Sequence, residues 1–416
     1  MKKNQKISVD HLQVGIFVRL PISWKDHPFL FSSFKIKDAA QIELIKSLGI
    51  SDVFFDPERS DVEPATSEDN VNKKSNEQTL TALKADMQNQ KMASIDQQQK
   101  LRRDLKKTEQ QFTRSVSMMR SMVSKVSSRP INAVNEAKDL VNHMTEILLN
   151  SDNLALHLMG DANADEMIYH HSLNVSMLCM LVGKELGWER KEIETIGMGA
   201  LFHDIGKLKI PSNILNKRVP LTPPEENFIK QHPSMSMNFL KLADSFPEEA
   251  KPLIANHHEY LDGSGYPQGL KADKLDKLSQ LIAVVNEYDN LCNGNTQTKG
   301  KPPSIALGLL YKNYQKKLNV EYIRKLIKML GVYPPGSIIE LSSGQYAMVM
   351  SVNLQNILFP NIIVYDQLVP KDQSPIINLE NEGLTIVRSL PPAALPERIF
   401  KYLSPREQVS YAIAQH

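Results

Sequence analysis

Gly199-Ala200-Leu201-Phe202-His203-Asp204-Ile205-Gly206-Lys207 sets an imidazole and a carboxylate side by side at the end of an apolar helical run. Both groups would be largely desolvated there. Burying a charged carboxylate beside imidazoles costs energy unless metal ions or hydrogen bonds compensate. A His-Asp pair alone is weak evidence, because chance produces it often. The chain's 11 histidines include His171, His232, His257 and His258 as well. Any one of them could be a satisfied core histidine, but the five together with Asp204 point to a metal centre. Neighbouring residues on a helix point about 100° apart, so His257 and His258 can address two metals, or one metal and its substrate. Lys207 follows His203 by four residues and Asp204 by three, so one helical face can present all three.

Outward from this centre, Asp262-Gly263-Ser264-Gly265-Tyr266-Pro267-Gln268-Gly269 reads as a tight, preset loop beside the candidate ligands, where the plainer alternative is a surface turn. Residues 151–330 are almost all helix-period patterning, broken by loops at 211–224 and 259–275. Residues 79–127 contain no Pro or Gly. There Leu101, Leu105, Phe112, Val116, Met119, Val123 and Val126 form a heptad-like stripe, which either packs on the chain's own domains or makes a homodimeric seam. Residues 7 to about 62 read as a small mixed domain, with strand-like runs at Ile16–Val18 and Val53–Phe55 and a helix near Ala39–Leu48. The polar stretch Ser60–Gln78 reads as a linker. Beyond Tyr333-Pro334-Pro335-Gly336, two strand-like segments flank Ser342-Ser343-Gly344, a hairpin signal.

Lys and Arg total 49 against 47 for Asp and Glu, a formal charge of +2. That balance argues against a dedicated binder of nucleic-acid polymers. Two cysteines, Cys179 and Cys292, argue against a disulfide framework and fit a reducing cytoplasm. No apolar run approaches the roughly 20 residues of a spanning helix, so no membrane insertion is expected.

His203-Asp204, Lys207, His257-His258 and Gly265-Tyr266-Pro267 resemble the HD-GYP branch of the HD phosphohydrolase superfamily over about residues 150–335. Ile214–Lys217, Leu221-Thr222 with Glu225, and Lys230-Gln231-His232-Pro233 extend the resemblance. It implies an all-helical core that hydrolyses cyclic di-GMP to pGpG and in some members on to GMP. It also implies metal ligation by His171, His203, Asp204, His232, His257 and His258, with Asp204 bridging two divalent ions, iron or manganese being the favoured pair. Two cations roughly 3.5–4 Å apart can hold a hydroxide nucleophile and stabilise a leaving alkoxide. Lys207 would contact a phosphate oxygen, joined at the substrate by Lys217, Gly265, Tyr266 and Pro267. GGDEF-type or other signalling proteins are the implied partners. Val18–Ile36, with Trp24 and His27-Pro28-Phe29, is similar to an uncharacterised domain often found ahead of HD-GYP domains; His27 there reads as structural.

Three departures stand out. A third-metal glutamate would sit at Met167; Glu166 is adjacent but faces another side of the helix, which favours two metals. The family's terminal aspartate ligand falls at Asn286, a weaker ligand, with Asp289 one turn on as a substitute or as a hydrogen-bonding partner of the ligands. The family's Arg-Pro-Tyr-Arg run is replaced by Asn293–Lys301. These leave two alternatives open: a degenerate module that binds ligand or protein without turnover, and a phosphohydrolase for another nucleotide.

The expected architecture is therefore mainly α: a small mixed α/β N-terminal domain at 1–65, a polar linker and long helix at 66–150, an all-helical HD-type catalytic core at 151–332 and a small β-rich extension at 333–416. The homodimer seam, if used, lies in the 80–127 helix.

Overall fold

In a computed structural model the chain is described over residues 5–22, 26–29, 31–65, 77–150, 154–159, 166–241, 243–367, 369, 374, 376–382, 384–405 and 409–415. Trp24 and most of the polar stretch read as a linker lie outside the described residues. The chain divides into two compact units. One comprises residues 1–103, 338–348 and 361–404; the other comprises 104–337, 349–360 and 405–416.

The first unit opens with strands β1 (Gln5–Ser8), β2 (Phe17–Arg19), β3 (Ser33–Lys35) and β4 (Asp52–Phe55), an antiparallel sheet in the order β1-β4-β2-β3. Helix α1 (Ala39–Lys46) starts where Asp38 accepts a hydrogen bond from the Gln41 N–H at 2.9 Å. The sheet's alternation turns Val53 and Phe55 inward, onto Val18, Leu20, Leu44 and Ile45. His27 is buried in this unit, its ring 5.9 Å from that of Phe29. Burial first, and the Lys91 ammonium second, lower its pKa from 6.5 to about 4. The folded-state value lies below the unfolded one, so the unfolded chain takes up this proton first. The associated stability is present above pH 6.5 and is lost as the pH falls through about 4. His27→Phe is expected to flatten the fall of Tm across that window; an unchanged slope would show that another group is responsible.

Helix α2 (Glu77–Lys125) is long because nothing in it breaks a helix. Phe112, Val116 and Met119 on it, and Val126 just beyond, are buried. Phe112 meets the His170 ring edge-on at 5.0 Å. Over these positions the apolar stripe is covered by the chain's own second unit.

In the second unit α3 (Pro130–Leu149) begins with Pro130 in its first turn, where a missing N–H costs nothing. Strand β5 (Leu154–Leu158) follows, then α4 (Met167–Glu185), α5 (Arg190–Phe202), α6 (Ser212–Leu215), α7 (Pro223–Ile229), α8 (His232–Leu240), α9 (Lys251–Asn256), α10 (Lys277–Asn293), α11 (Pro303–Asn313) and α12 (Val320–Leu330). Residues Ser172–Gly183 of α4 are all buried, the signature of a central helix packed on every side. It lies against α5, and α10 packs on both α4 and α9. Capping boxes start α5 (Glu189 with Glu192) and α7 (Thr222 with Glu225), and Asp276 caps α10.

The expected hairpin forms between β6 (Ile338–Leu341) and β7 (Tyr346–Asn353), pairing Ile338 with Met348 and Glu340 with Tyr346. Strands β8 (Asn361–Val364), β9 (Ile376–Asn378) and β10 (Ile386–Leu390) belong to the first unit, whereas β11 (Tyr411–Gln415) belongs to the second. There β11 runs antiparallel to β5, Tyr411 opposite Leu158, and the far end of β7 lies on the other edge of β5. Residues 333–416, expected as one separate extension, are thus shared between the two units. The reason is strand pairing across more than 200 residues, which no local pattern encodes. Among the described residues no helix is long and apolar enough to cross a membrane.

Candidate metal centre

Four helix ends or helix faces converge on Asp204. His171 projects from α4, and His203 caps the C-terminus of α5, with Asp204 next to it. His232 opens α8, and His257 caps α9 with His258 following. Gly206 makes the close approach feasible: a Cβ there would lie 2.0 Å from the His232 carbonyl oxygen. Its N–H donates to Ser236 Oγ at 2.8 Å, and that hydroxyl donates to the His203 carbonyl at 2.8 Å.

Two clusters result, sharing the aspartate: His171, His203 and Asp204 in one, Asp204, His232, His257 and His258 in the other, the ligand atoms of each within 4.8 Å of one another. Asp204 Oδ2 lies 3.3 Å from His171 Nε2 and 3.5 Å from His203 Nε2. Its Oδ1 lies 3.1 Å from His232 Nε2 and 3.7 Å from His257 Nε2. One carboxylate therefore faces two separate sets of imidazoles, one with each oxygen.

The hydrogen bonds behind the rings say what the site wants. The Nδ1 atoms of His203, His232 and His257 lie 2.6, 2.8 and 2.7 Å from the carbonyl oxygens of Ala200, Ile229 and Ile254. A carbonyl only accepts, so each Nδ1 carries a proton and, in the neutral form of the ring, Nε2 turns a lone pair inward. His232 and His257 then bring two such lone pairs to 3.0 Å, and His232 aims a third acceptor contact at Asp204 Oδ1, which has no donor of its own. Acceptors facing acceptors at these distances are repulsive unless a metal cation or a proton lies among them. The donor set of imidazoles around one shared carboxylate suits divalent iron, manganese or zinc.

Burial drives His203 and His258 well below the usual imidazole pKa, and His257 to about 4. At pH 7 these rings are neutral and need lose no proton to bind metal. His171 goes the other way: burial opposes its charge, but Asp289 and Asp204 raise it to about 9. Asp204, although buried, is held well below the carboxylate range, chiefly by Lys207, whose ammonium pairs with Oδ2. Asp289 Oδ2 stands 2.5 Å from His171 Nδ1 and fixes that ring from behind.

A cavity of about 510 Å³ opens over the first cluster, lined by His171, Asp204, Lys207, Asp289, Asn290 and Ser410 among others. Beside the second cluster the Tyr266 ring stacks on His258, centroids 4.5 Å apart, and the Tyr266 N–H donates to the His258 carbonyl. Gly265 and Pro267 belong to the same turn. A Cβ on Gly265 would meet Tyr260 N at 2.4 Å and His258 O at 2.5 Å, so only glycine lets the loop lie this close. Lys217, expected at the substrate, instead pairs with Glu225 at 2.7 Å. Glu166 pairs with Arg120 and stays out of both clusters. Asn286 is buried, and its Oδ1 accepts from Asn290 Nδ2 at 3.3 Å. Asn286→Asp would add a carboxylate one turn before Asp289 and is expected to tighten metal binding roughly tenfold; unchanged affinity would mean that the position is not a ligand.

Two contributors escaped the sequence reading. Glu259, buried beside His258, accepts the N–H groups of Gln268, Gly269 and Leu270 and so holds the loop. Its position between the histidine pair and the glycine-rich loop was the available signal. Asn174 donates to Asp289 Oδ1; its place one turn after His171 was the signal there.

Residues 131–321 match the HD domain family, and residues 4–137 match a domain of unknown function (DUF3391). The chain is 26% identical to a cyclic di-GMP phosphodiesterase of Pseudomonas aeruginosa over 92% of this chain and 90% of that one. It is 34% identical to a cyclic di-GMP phosphodiesterase response regulator of Xanthomonas campestris over 33% of this chain and 36% of that one. It is 35% identical to a 3'3'-cGAMP-specific phosphodiesterase of Vibrio cholerae over 34% of this chain and 32% of that one. The chain carries an HD domain at residues 131–321, preceded by a DUF3391 domain at residues 4–137.

Proposed function

We propose that the protein hydrolyses cyclic di-GMP to pGpG with two divalent ions, iron or manganese, at the two clusters around Asp204. The observation that carries this reading is the division of the Asp204 oxygens between two sets of inward-facing Nε2 atoms. When bound, the two ions supply an activated nucleophile and charge neutralisation for an in-line phosphoryl displacement. The chain's own residues do the rest. His171, His203 and Asp204 hold one position; His232, His257 and His258, with Asp204, hold the other. Lys207, on the cavity wall beside Asp204, meets a non-bridging phosphate oxygen. Tyr266 keeps the His258 ring in place and, with Gly265 and Pro267, borders the substrate. The relatives' names support the substrate, since several are called cyclic di-GMP phosphodiesterases.

Among the described residues the first unit supplies no ligand to either cluster. We propose that the N-terminal domain and the long helix transmit a signal by rearrangement of a homodimer, with GGDEF-type or other signalling proteins as partners. Removal of residues 1–130 is expected to alter turnover or oligomeric state, and no change in either would count against it. The relative named for 3'3'-cGAMP makes a second cyclic dinucleotide the natural competitor. The test is a panel: manganese-loaded protein given cyclic di-GMP, 3'3'-cGAMP and cyclic di-AMP at equal concentration, with products separated by chromatography. The proposal expects pGpG as the main early product and cyclic di-GMP as the preferred substrate. Preference for another dinucleotide by tenfold or more in kcat/KM would contradict it.

A further inference from the structure

The metal centre is buttressed from a stretch of chain that lies beyond the HD match. Val409, Ser410 and Tyr411, at the start of β11, each bind a different residue of the two helices that carry His171 and Asp289. Val409 exchanges two hydrogen bonds with the Asn293 amide on α10: Asn293 Nδ2 donates to the Val409 carbonyl at 3.0 Å, and the Val409 N–H donates to Asn293 Oδ1 at 2.6 Å. Ser410 lines the cavity, its Oγ 3.0 Å from Nδ1 of His170 on α4. The Tyr411 N–H donates to Asn174 Oδ1, also on α4, at 3.0 Å.

The last of these contacts has a chemical consequence. A side-chain amide can present either its oxygen or its nitrogen to a neighbour. A backbone N–H can only donate, so Tyr411 obliges Asn174 to present Oδ1 to the strand and Nδ2 to the opposite side. On that side lies Asp289 Oδ1, which accepts the Asn174 amide hydrogen. The remaining Asp289 oxygen is then directed at His171 Nδ1, 2.5 Å away. All of these residues are buried or nearly so, and the order of donors and acceptors from strand to imidazole has one solution. The orientation of the His171 ring, and hence the direction of its Nε2, is set by a residue 240 positions away along the chain.

We propose that Val409–Tyr411 is a built-in part of the metal centre and that Asn174 is the positioning residue through which it acts on His171. This rests on the two-cluster reading above. It goes beyond that reading by assigning the C-terminal strand a role in the affinity of one cluster and not of the other.

The experiment is a titration of the metal-free full chain with Mn²⁺ in competition with a chromophoric chelator, with no nucleotide present. Asn174→Leu removes both hydrogen bonds. It is expected to weaken one binding step by roughly 10–100-fold and leave the other at the parent's affinity, because second partners of ligating imidazoles carry effects of that size. Asn293→Ala frees Val409 without touching α4 and is expected to weaken the same step by a smaller factor. If Asn174→Leu does not fold, as judged by its circular dichroism, Asn293→Ala decides alone. Parent-like affinity at both steps in the folded variants overturns the proposal, and so does equal weakening of both steps. A parent protein that binds no manganese would instead sink the two-cluster reading itself, so the two failures are told apart.

Discussion

Asp204→Ala is expected to release metal from both clusters at once and to lower phosphodiester hydrolysis by on the order of 10³-fold or more, while the helical fold persists. The expectation follows from the sharing of one side chain. His171 and His203 address Oδ2, and His232 and His257 address Oδ1, so among the described residues Asp204 alone belongs to both sets. Removing a single histidine should cost one site and spare part of the other. Metal analysis of purified His203→Ala, His257→Ala and Asp204→Ala proteins, with circular dichroism on each, separates these cases. Retention of one full metal equivalent by Asp204→Ala would show that the carboxylate does not bridge.

The second large effect is expected at Glu259, which takes no part in ligation. Its carboxylate accepts three backbone N–H groups from Gln268, Gly269 and Leu270, at 2.6, 3.1 and 3.0 Å. Glu259→Ala removes the shared acceptor of those donors, whose residues are exposed or half-buried so that water takes over part of the bonding, at a cost of about 1.5 kcal/mol. The loss is local before it is global, because those bonds hold the turn whose Tyr266 ring stacks on His258. Displacement of the ring by about 1 Å is enough to lower turnover roughly a hundredfold. Thermal unfolding and kcat on the same variant check both parts; Glu259→Gln, which keeps an acceptor oxygen, should recover part of each. Full activity in Glu259→Ala would show that the loop's position does not matter to the reaction.

How much of the molecule is legible in its sequence depends on how far along the chain the partners lie. His203 and Asp204 are adjacent, as are His257 and His258, and that adjacency is what the local pattern shows of the centre. The single helical face expected for His203, Asp204 and Lys207 does not form, because α5 stops at Phe202 and Lys207 stands on the short 3-10 turn Ile205–Lys209. Also legible locally are α1, the hairpin at Ser342–Gly344 and the helical core, because propensity, caps and periodicity act over a few residues. The pairing of Lys217 with Glu225 is less legible, since its partner comes from the next helix and nothing in the local pattern says that the two meet. Asp289 can be placed behind a ligand by its one-turn offset from Asn286, but not against His171 in particular. The contribution of β11 is out of reach, since it depends on a strand pairing with β5 that joins residues 154–158 to 411–415.

The most direct test is a single preparation of the parent protein, purified without oxygen and reconstituted with iron or manganese, on which metal content and cyclic di-GMP hydrolysis are measured together. The account predicts about two metals per chain and release of pGpG, both abolished by a strong chelator and restored by metal. Hydrolysis that survives complete removal of metal, or a protein that takes up no metal under these conditions, would contradict it.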